Sequence, residues 1–145
     1  MRQWVIPRSP PGQPPGRTDF AGKALNLKGV QWGSSRLTVV VAMQTHCHYC
    51  EESIPFYRRL AEAAASSKAR IGLVFCSYET PDLVTGWLSR GRVGTALVTQ
   101  TSFKEIGIGG TPTLFMVDSA GVVKKAYFGR LSPADEDELM RVLAS

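Results

Sequence analysis

The sequence has no apolar run of the ~18 residues that a membrane-spanning helix needs, so no direct span is expected in this chain. Its opening stretch, MRQWVIPRSPPGQPPGRTDF, lacks the apolar centre of a secretory leader. There are only three cysteines in 145 residues, which excludes the cysteine-stapled scaffolds of small secreted domains. A dense basic tract with interleaved aromatics is also missing. The net charge is +5, but Arg58, Arg59, Lys68, Arg70, Arg90, Arg92, Lys124 and Lys125 are scattered, so no nucleic-acid partner is expected and these charges read as a solvated surface. No internal repeat is visible.

What is present suits one cored domain: 145 residues, 43% of them apolar. Residues 1–22 are rich in Pro, Gly and Arg and read as an arm or linker, with a domain over 23–145. KALNLKGVQW alternates Leu25 and Leu27 with polar neighbours and predicts a short strand or edge hairpin. The β-branched run from Arg36 to Met43 predicts a strand buried on both faces, and Ala69 to Ser77 predicts a second. Between them, Cys50, Ile54, Tyr57, Leu60, Ala61 and Ala64 recur at helical spacing. One helix from about Cys47 to about Ala65 follows, kinked by Pro55. A short helix over Pro81–Gly91, a third strand in TALVTQ and a one-turn helix in SFKEIGIGG come next. The arms Thr113–Val117 and Val122–Phe128 form a hairpin across Asp118–Gly121, and Ser132 caps a last helix with Pro133 in its first turn. Strands separated by helices imply a parallel part, and the late hairpin an antiparallel part. The fold class is α/β, a mixed central sheet flanked by helices.

The chemistry concentrates in QTHCHYCEESIPFYRRL, where Cys47 and Cys50 stand two residues apart with His46 and His48 beside and between them. Such a pair is open to three readings: a thiol–disulfide switch, part of a copper(I) or zinc site, or a structural staple. Four donors lie within five residues, but adjacent side chains cannot all converge on one ion, and no second C-x-x-C completes a tetrahedral set.

The element order, the CHYC that opens a helix after a central strand, Pro55 five residues past the second cysteine, and GGTPTLFMVDSAGVV together resemble the thioredoxin fold. The likeness is to its TlpA/ResA-like, redoxin-type thiol–disulfide oxidoreductases and covers roughly 23–144. The resemblance implies a thioredoxin-like three-layer sandwich, a cis bond before Pro112, and a loop at Thr111–Pro112 that faces the cysteines. It also implies an extracytoplasmic site of action, with an anchor before residue 1 and the Pro-rich arm as spacer; the alternative is the cytoplasm. Three positions depart from the pattern. The acid that thioredoxins carry six residues before the first cysteine is Val41 here. Ser53 replaces a glutamate, with Glu52 one place and about a quarter-turn of helix away. His46 replaces a tryptophan. The resemblance therefore supplies no proton-shuttle residue.

A thiolate, not a thiol, attacks a disulfide, and free cysteine titrates near ~8.5. If the helix begins at Cys47, its unpaired N–H groups and dipole favour the anion there, and protonated His46 and His48 would add positive charge. Cys47 is then the attacking thiol and Cys50, one turn on, the resolving one. Tyr49 is expected exposed beside the sulfurs, Thr111 offers a backbone edge to an extended substrate, and Cys76 is expected to fill core. No cofactor and no metal are expected. The expected partners are protein dithiols or disulfides and an upstream redox donor or acceptor protein, engaged by a monomer. The competing readings are the copper or zinc module and a non-catalytic thioredoxin-like interaction domain.

Overall fold

The computed structural model describes residues 20–66, 70–94 and 96–145. The Pro/Gly-rich arm expected over 1–22 lies outside the described residues up to position 19. Among the described residues, five strands form one sheet: β1 (Leu37–Ala42), β2 (Ile71–Ser77), β3 (Leu97–Gln100), β4 (Thr113–Asp118) and β5 (Val123–Phe128). Their spatial order is β3-β2-β1-β4-β5. β1 runs parallel to β2, and β2 to β3, whereas β4 runs antiparallel to both β1 and β5. The mixed sheet follows from the connections: helices separate the first three strands, and a tight turn joins the last two.

The β-branched run of β1 is buried on both faces because successive side chains enter different cores. Val39, Val41 and Met43 join Leu73, Phe75, Leu114 and Met116 on one side. That side is covered by α2 (Ile54–Ala65), α3 (Pro81–Arg90) and α5 (Pro133–Ala144), which contribute Leu60, Trp87 and Leu139 among others. Val40 and Ala42 join Val74, Cys76, Phe115 and Val117 on the other side, under α4 (Phe103–Ile106) and the segment containing Phe20, Leu25 and Leu27. The result is the three-layer arrangement expected. Each fully buried side chain of this size contributes about 1.5–3 kcal/mol, so the two cores fix the strand register.

Two sequence expectations are corrected. The segment over 23–32 is not a strand or hairpin. Only Ala24 bridges to Val122, and the backbone turns at Gly22 and Gly29, both at positive φ. The chain instead lies across the sheet edge, with Leu25 and Leu27 buried and a 3-10 turn at Trp32–Ser34. Likewise, the expected 47–65 helix is two helices, α1 (His48–Glu52) and α2, which break at Ser53. Pro55 in the first turn of α2 has no N–H to give the preceding turn, so the ladder restarts there.

Register then positions the site. Ala42 at the end of β1 pairs with Cys76 near the end of β2 and with Thr113 at the start of β4. The loop leading to Cys47, the residues after β2 and the Thr111–Pro112 pair are thus brought to one end of the sheet. At the opposite end, the β4–β5 turn closes with Gly121 at φ +82, and the Asp118 carboxylate accepts from the N–H groups of Ala120 (2.9 Å) and Val122 (3.0 Å).

Candidate active site

Cys47 is the N-cap of α1. Its backbone is extended, and its Sγ accepts the Cys50 N–H at 3.2 Å, one of the donors that a helix start leaves unpaired. Cys47 and Cys50 are paired as a disulfide with Cα atoms 5.1 Å apart, within the range such a bond spans. The two sulfurs are not equivalent. Cys47 is half-buried, whereas Cys50 is 0% exposed and belongs to the helix-covered core. An incoming thiol or disulfide therefore meets residue 47 first.

The second wall is the loop before β4. The Thr111–Pro112 peptide is cis. Thr111 Oγ1 donates to Cys47 Sγ at 3.3 Å, and the Thr111 carbonyl oxygen lies 3.5 Å from the same sulfur. Pro112 is buried, and its carbonyl accepts the Gly129 N–H at 2.8 Å, which ties this loop to the end of β5. The sequence places Thr111 and Pro112 far from the cysteines; the β1–β4 register brings them together.

The remaining expected site residues surround the sulfurs unevenly. Tyr49 is 55% exposed and stands at the mouth of a cleft of about 940 Å³. Thr111 forms another part of that cleft, and Phe20, Leu25, Ile106 and Phe128 give it apolar walls. Gly109 and Gly110 line it with no side chain, and a Cβ at either would meet open space. His46 is exposed on a shallow depression that also includes Cys47. The His48 imidazole turns to Glu52 (3.2 Å), which also accepts from Arg130 Nη1 at 2.9 Å. Glu52 thus faces outward onto His48, while Ser53, at the position of the resembled glutamate, is buried and donates to the Tyr49 carbonyl at 2.7 Å. Among the described residues, no group of three or more His, Cys, Asp or Glu side chains is placed to hold a metal ion.

Cys76 is a free, fully buried thiol, and burial pushes its pKa up to about 12. It has neither the exposure nor the anion that exchange requires.

Several residues around the site were not anticipated from sequence. Gln44 Nε2 donates to Thr111 Oγ1 (3.3 Å), and Tyr78 OH donates to Gln44 Oε1 (2.9 Å). Donors in this chain all point toward Cys47. Glu79 binds Thr45, and Arg130 binds Glu52. The available signal was the strand pattern: two adjacent parallel strands must end side by side, so the polar residues just past each are neighbours.

The chain superposes on solved thiol–disulfide proteins. Against a thiol-disulfide isomerase from Corynebacterium glutamicum the TM-score is 0.64 at 16% identity, covering 86% of this chain and 92% of that one. A thiol:disulfide interchange protein of the thioredoxin family from Chlorobium tepidum TLS gives 0.65 at 19% identity, over 86% and 97%. A secreted disulfide oxidoreductase of Mycobacterium tuberculosis gives 0.58 at 12% identity, over 75% and 81%. These similarities establish a thioredoxin-like fold. No protein-family model and no curated protein matches the sequence.

Proposed function

We propose that this chain is a thiol–disulfide oxidoreductase that exchanges the Cys47–Cys50 pair with cysteines of partner proteins. The observation that carries the reading is the asymmetry of the pair: the sulfur of a partly buried N-cap residue, receiving the Cys50 N–H and the Thr111 hydroxyl, is bonded to that of a fully buried one. A static staple needs neither donor.

In the reducing direction, the Cys47 thiolate attacks one sulfur of a partner disulfide. An S–S bond forms between the proteins, the partner's own S–S bond breaks, and its departing thiolate takes a proton. Cys50 then gives up its proton and attacks Cys47 Sγ. This forms the internal disulfide and releases the second partner sulfur as a thiolate, which also takes up a proton. Two electrons pass to the partner, and the reverse sequence oxidises a partner dithiol. The Cys50 N–H and Thr111 Oγ1 stabilise charge on Cys47 when it attacks in the reducing direction and, in the reverse direction, when it leaves the mixed disulfide.

Partner recognition is assigned to the cleft beside Thr111. Its bare glycine lip exposes backbone to an extended segment, and the Phe20, Leu25 and Phe128 walls accept an apolar side chain. Tyr49, at its mouth, contacts the incoming chain. The protein acts as a monomer in exchange with an upstream donor or acceptor. An extracytoplasmic location is supported by the secreted Mycobacterium tuberculosis neighbour, and among the described residues no helix is long and apolar enough to cross a membrane.

The test is to mix reduced protein with oxidised glutathione and count free thiols. Loss of two thiols, restored by dithiothreitol and abolished by Cys47→Ser, is the expected result. Retention of both thiols across a range of glutathione redox ratios would overturn the reading.

A further inference from the structure

We propose that Glu79, outside the cysteine motif, is a positioning residue for Cys47 and acts through Thr45. The inference rests on the oxidoreductase reading above and deepens it.

Glu79 stands just past the end of β2 and uses both carboxylate oxygens. Oε1 accepts the Thr45 backbone N–H at 2.8 Å, and Oε2 accepts the Thr45 hydroxyl at 2.7 Å. The carboxylate is itself seated. Ser77 Oγ donates to Oε1 at 3.3 Å and accepts the Glu79 N–H at 3.2 Å, and Ser77 is 0% exposed. Thr45 is also buried.

The place of this clamp along the chain gives it its consequence. β1 ends at Ala42, and the Met43 N–H still reaches the Cys76 carbonyl at 3.0 Å. Thr45 is then held by Glu79. Beyond it, the Glu51 N–H to the Cys47 carbonyl already belongs to the helix. Glu79 is therefore the backbone tie through which the sheet sets where the helix, and Cys47 at its cap, begins. The neighbouring Tyr78–Gln44 bond runs alongside but reaches Thr111, not the Cys47 backbone. The two donors meet Cys47 Sγ at 3.2 and 3.3 Å from two different elements, so a displacement of residue 47 lengthens or misaligns at least one of them.

Charge and position act in opposite senses here, which makes the inference testable. A carboxylate near a sulfur disfavours its anion, so removing only the charge of Glu79 favours the thiolate. Removing the clamp disfavours it, because the sulfur leaves its donors. The other charged or titratable side chains around the sulfur, His46, His48, Tyr49, Cys50, Glu51, Glu52, Tyr78 and Arg130, are the same in every variant.

The experiment follows the ultraviolet thiolate absorbance of Cys47 against pH, and the rate of exchange with oxidised glutathione, in reduced wild type, Glu79→Ala, Glu79→Gln and Thr45→Val. Glu79→Ala is expected to move the thiolate transition to higher pH and to slow exchange at neutral pH about tenfold, in proportion to the thiolate lost. Glu79→Gln is expected to hold the transition at the wild-type pH or slightly below it, since its carbonyl accepts the Thr45 N–H and its amide donates to Thr45 Oγ1 while the charge is lost. Thr45→Val keeps the N–H bond, loses the hydroxyl bond and is expected to fall between the two; its reading stands if Glu79→Ala does not fold. A thiolate transition unmoved in Thr45→Val and Glu79→Ala, with only a lower melting temperature, overturns the proposal. So does an equal shift to lower pH in Glu79→Ala and Glu79→Gln, which would be the charge acting alone. Wild type that fails to exchange overturns the oxidoreductase reading and this proposal together, whereas active wild type with unaffected variants overturns the positioning role alone.

Discussion

Both ends of the sheet carry a carboxylate that accepts backbone N–H groups, yet they differ in reach. Asp118 binds Ala120 and Val122 within its own turn. Glu79 binds Thr45, 34 positions away in sequence. The first clamp closes a hairpin and works wherever that turn is placed. The second joins two crossover connections and exists only once β1 and β2 are paired. The hairpin end is built by local chemistry and, among the described residues, carries no cysteine. The site end is built by tertiary register and carries the Cys47–Cys50 pair. Damage to the two ends should therefore separate stability from exchange.

The largest expected effect lies at the site end. Cys47→Ser should reduce exchange to background while leaving the fold intact, and Cys50→Ser should accumulate a mixed disulfide that nothing resolves, visible as a mass increase. Alkylation of the reduced native protein should label Cys47 first, with Cys76 labelled only on unfolding, given its buried position and raised pKa. Labelling of Cys76 at a rate close to that of Cys47 would erase the distinction drawn between them.

At the hairpin end, Gly121→Ala should cost about 1–3 kcal/mol, since φ +82 is strained for a residue with a Cβ. The new Cβ would also come within 2.7 Å of the Trp32 ring. Denaturant unfolding measures the cost, and the exchange rate of the folded variant should match wild type. A large loss of exchange would break the separation of the two ends.

A smaller effect concerns Asp118. The Val122 N–H bond, together with the Ala120 N–H bond and the nearby Lys124, holds its carboxyl below the ordinary range, while partial desolvation opposes them. A depressed folded pKa means that its stabilisation is fully present above the unfolded value and is lost as pH falls through the folded one. Wild type should thus be more stable than Asp118→Asn near neutrality, and the difference should shrink in acid. A gap that stays constant down to the acid limit would show that the charge contributes nothing.

The smallest effect expected is at the exposed Arg130–Glu52 pair. Arg130→Ala should change stability by less than about 1 kcal/mol, since ion pairs this exposed are screened by solvent, and the change should shrink further in salt.

The same contrast explains what could be read in the sequence. The Asp118–Gly121 turn, the Ser132 cap with its bond from the Asp135 N–H, and the doubly buried β1 run are local signals, and the structure contains all three. Cys47 and Cys50 were legible because their spacing is local too. Thr111 and Pro112 were reached only through resemblance, since nothing within the TPT stretch says that it faces residue 47. Gln44, Thr45, Tyr78 and Glu79 were not legible, because their bonds depend on the Ala42–Cys76 and Ala42–Thr113 register. Leu25 and Leu27 misled for a related reason: their alternation marks two buried side chains, but Gly22 and Gly29 turn the backbone away from a ladder. Pro55 marked an irregularity correctly in kind, and the structure places the junction of the two helices at Ser53.

The most direct test is to titrate the Cys47 thiol in the reduced protein, using Cys47→Ser as the blank. With the Cys50 N–H and the Thr111 hydroxyl both directed at its sulfur, half-ionisation should fall clearly below the ~8.5 of free cysteine. A value at or above that figure would mean that Cys47 is held as an ordinary thiol and would contradict the assignment of residue 47 as the attacking group.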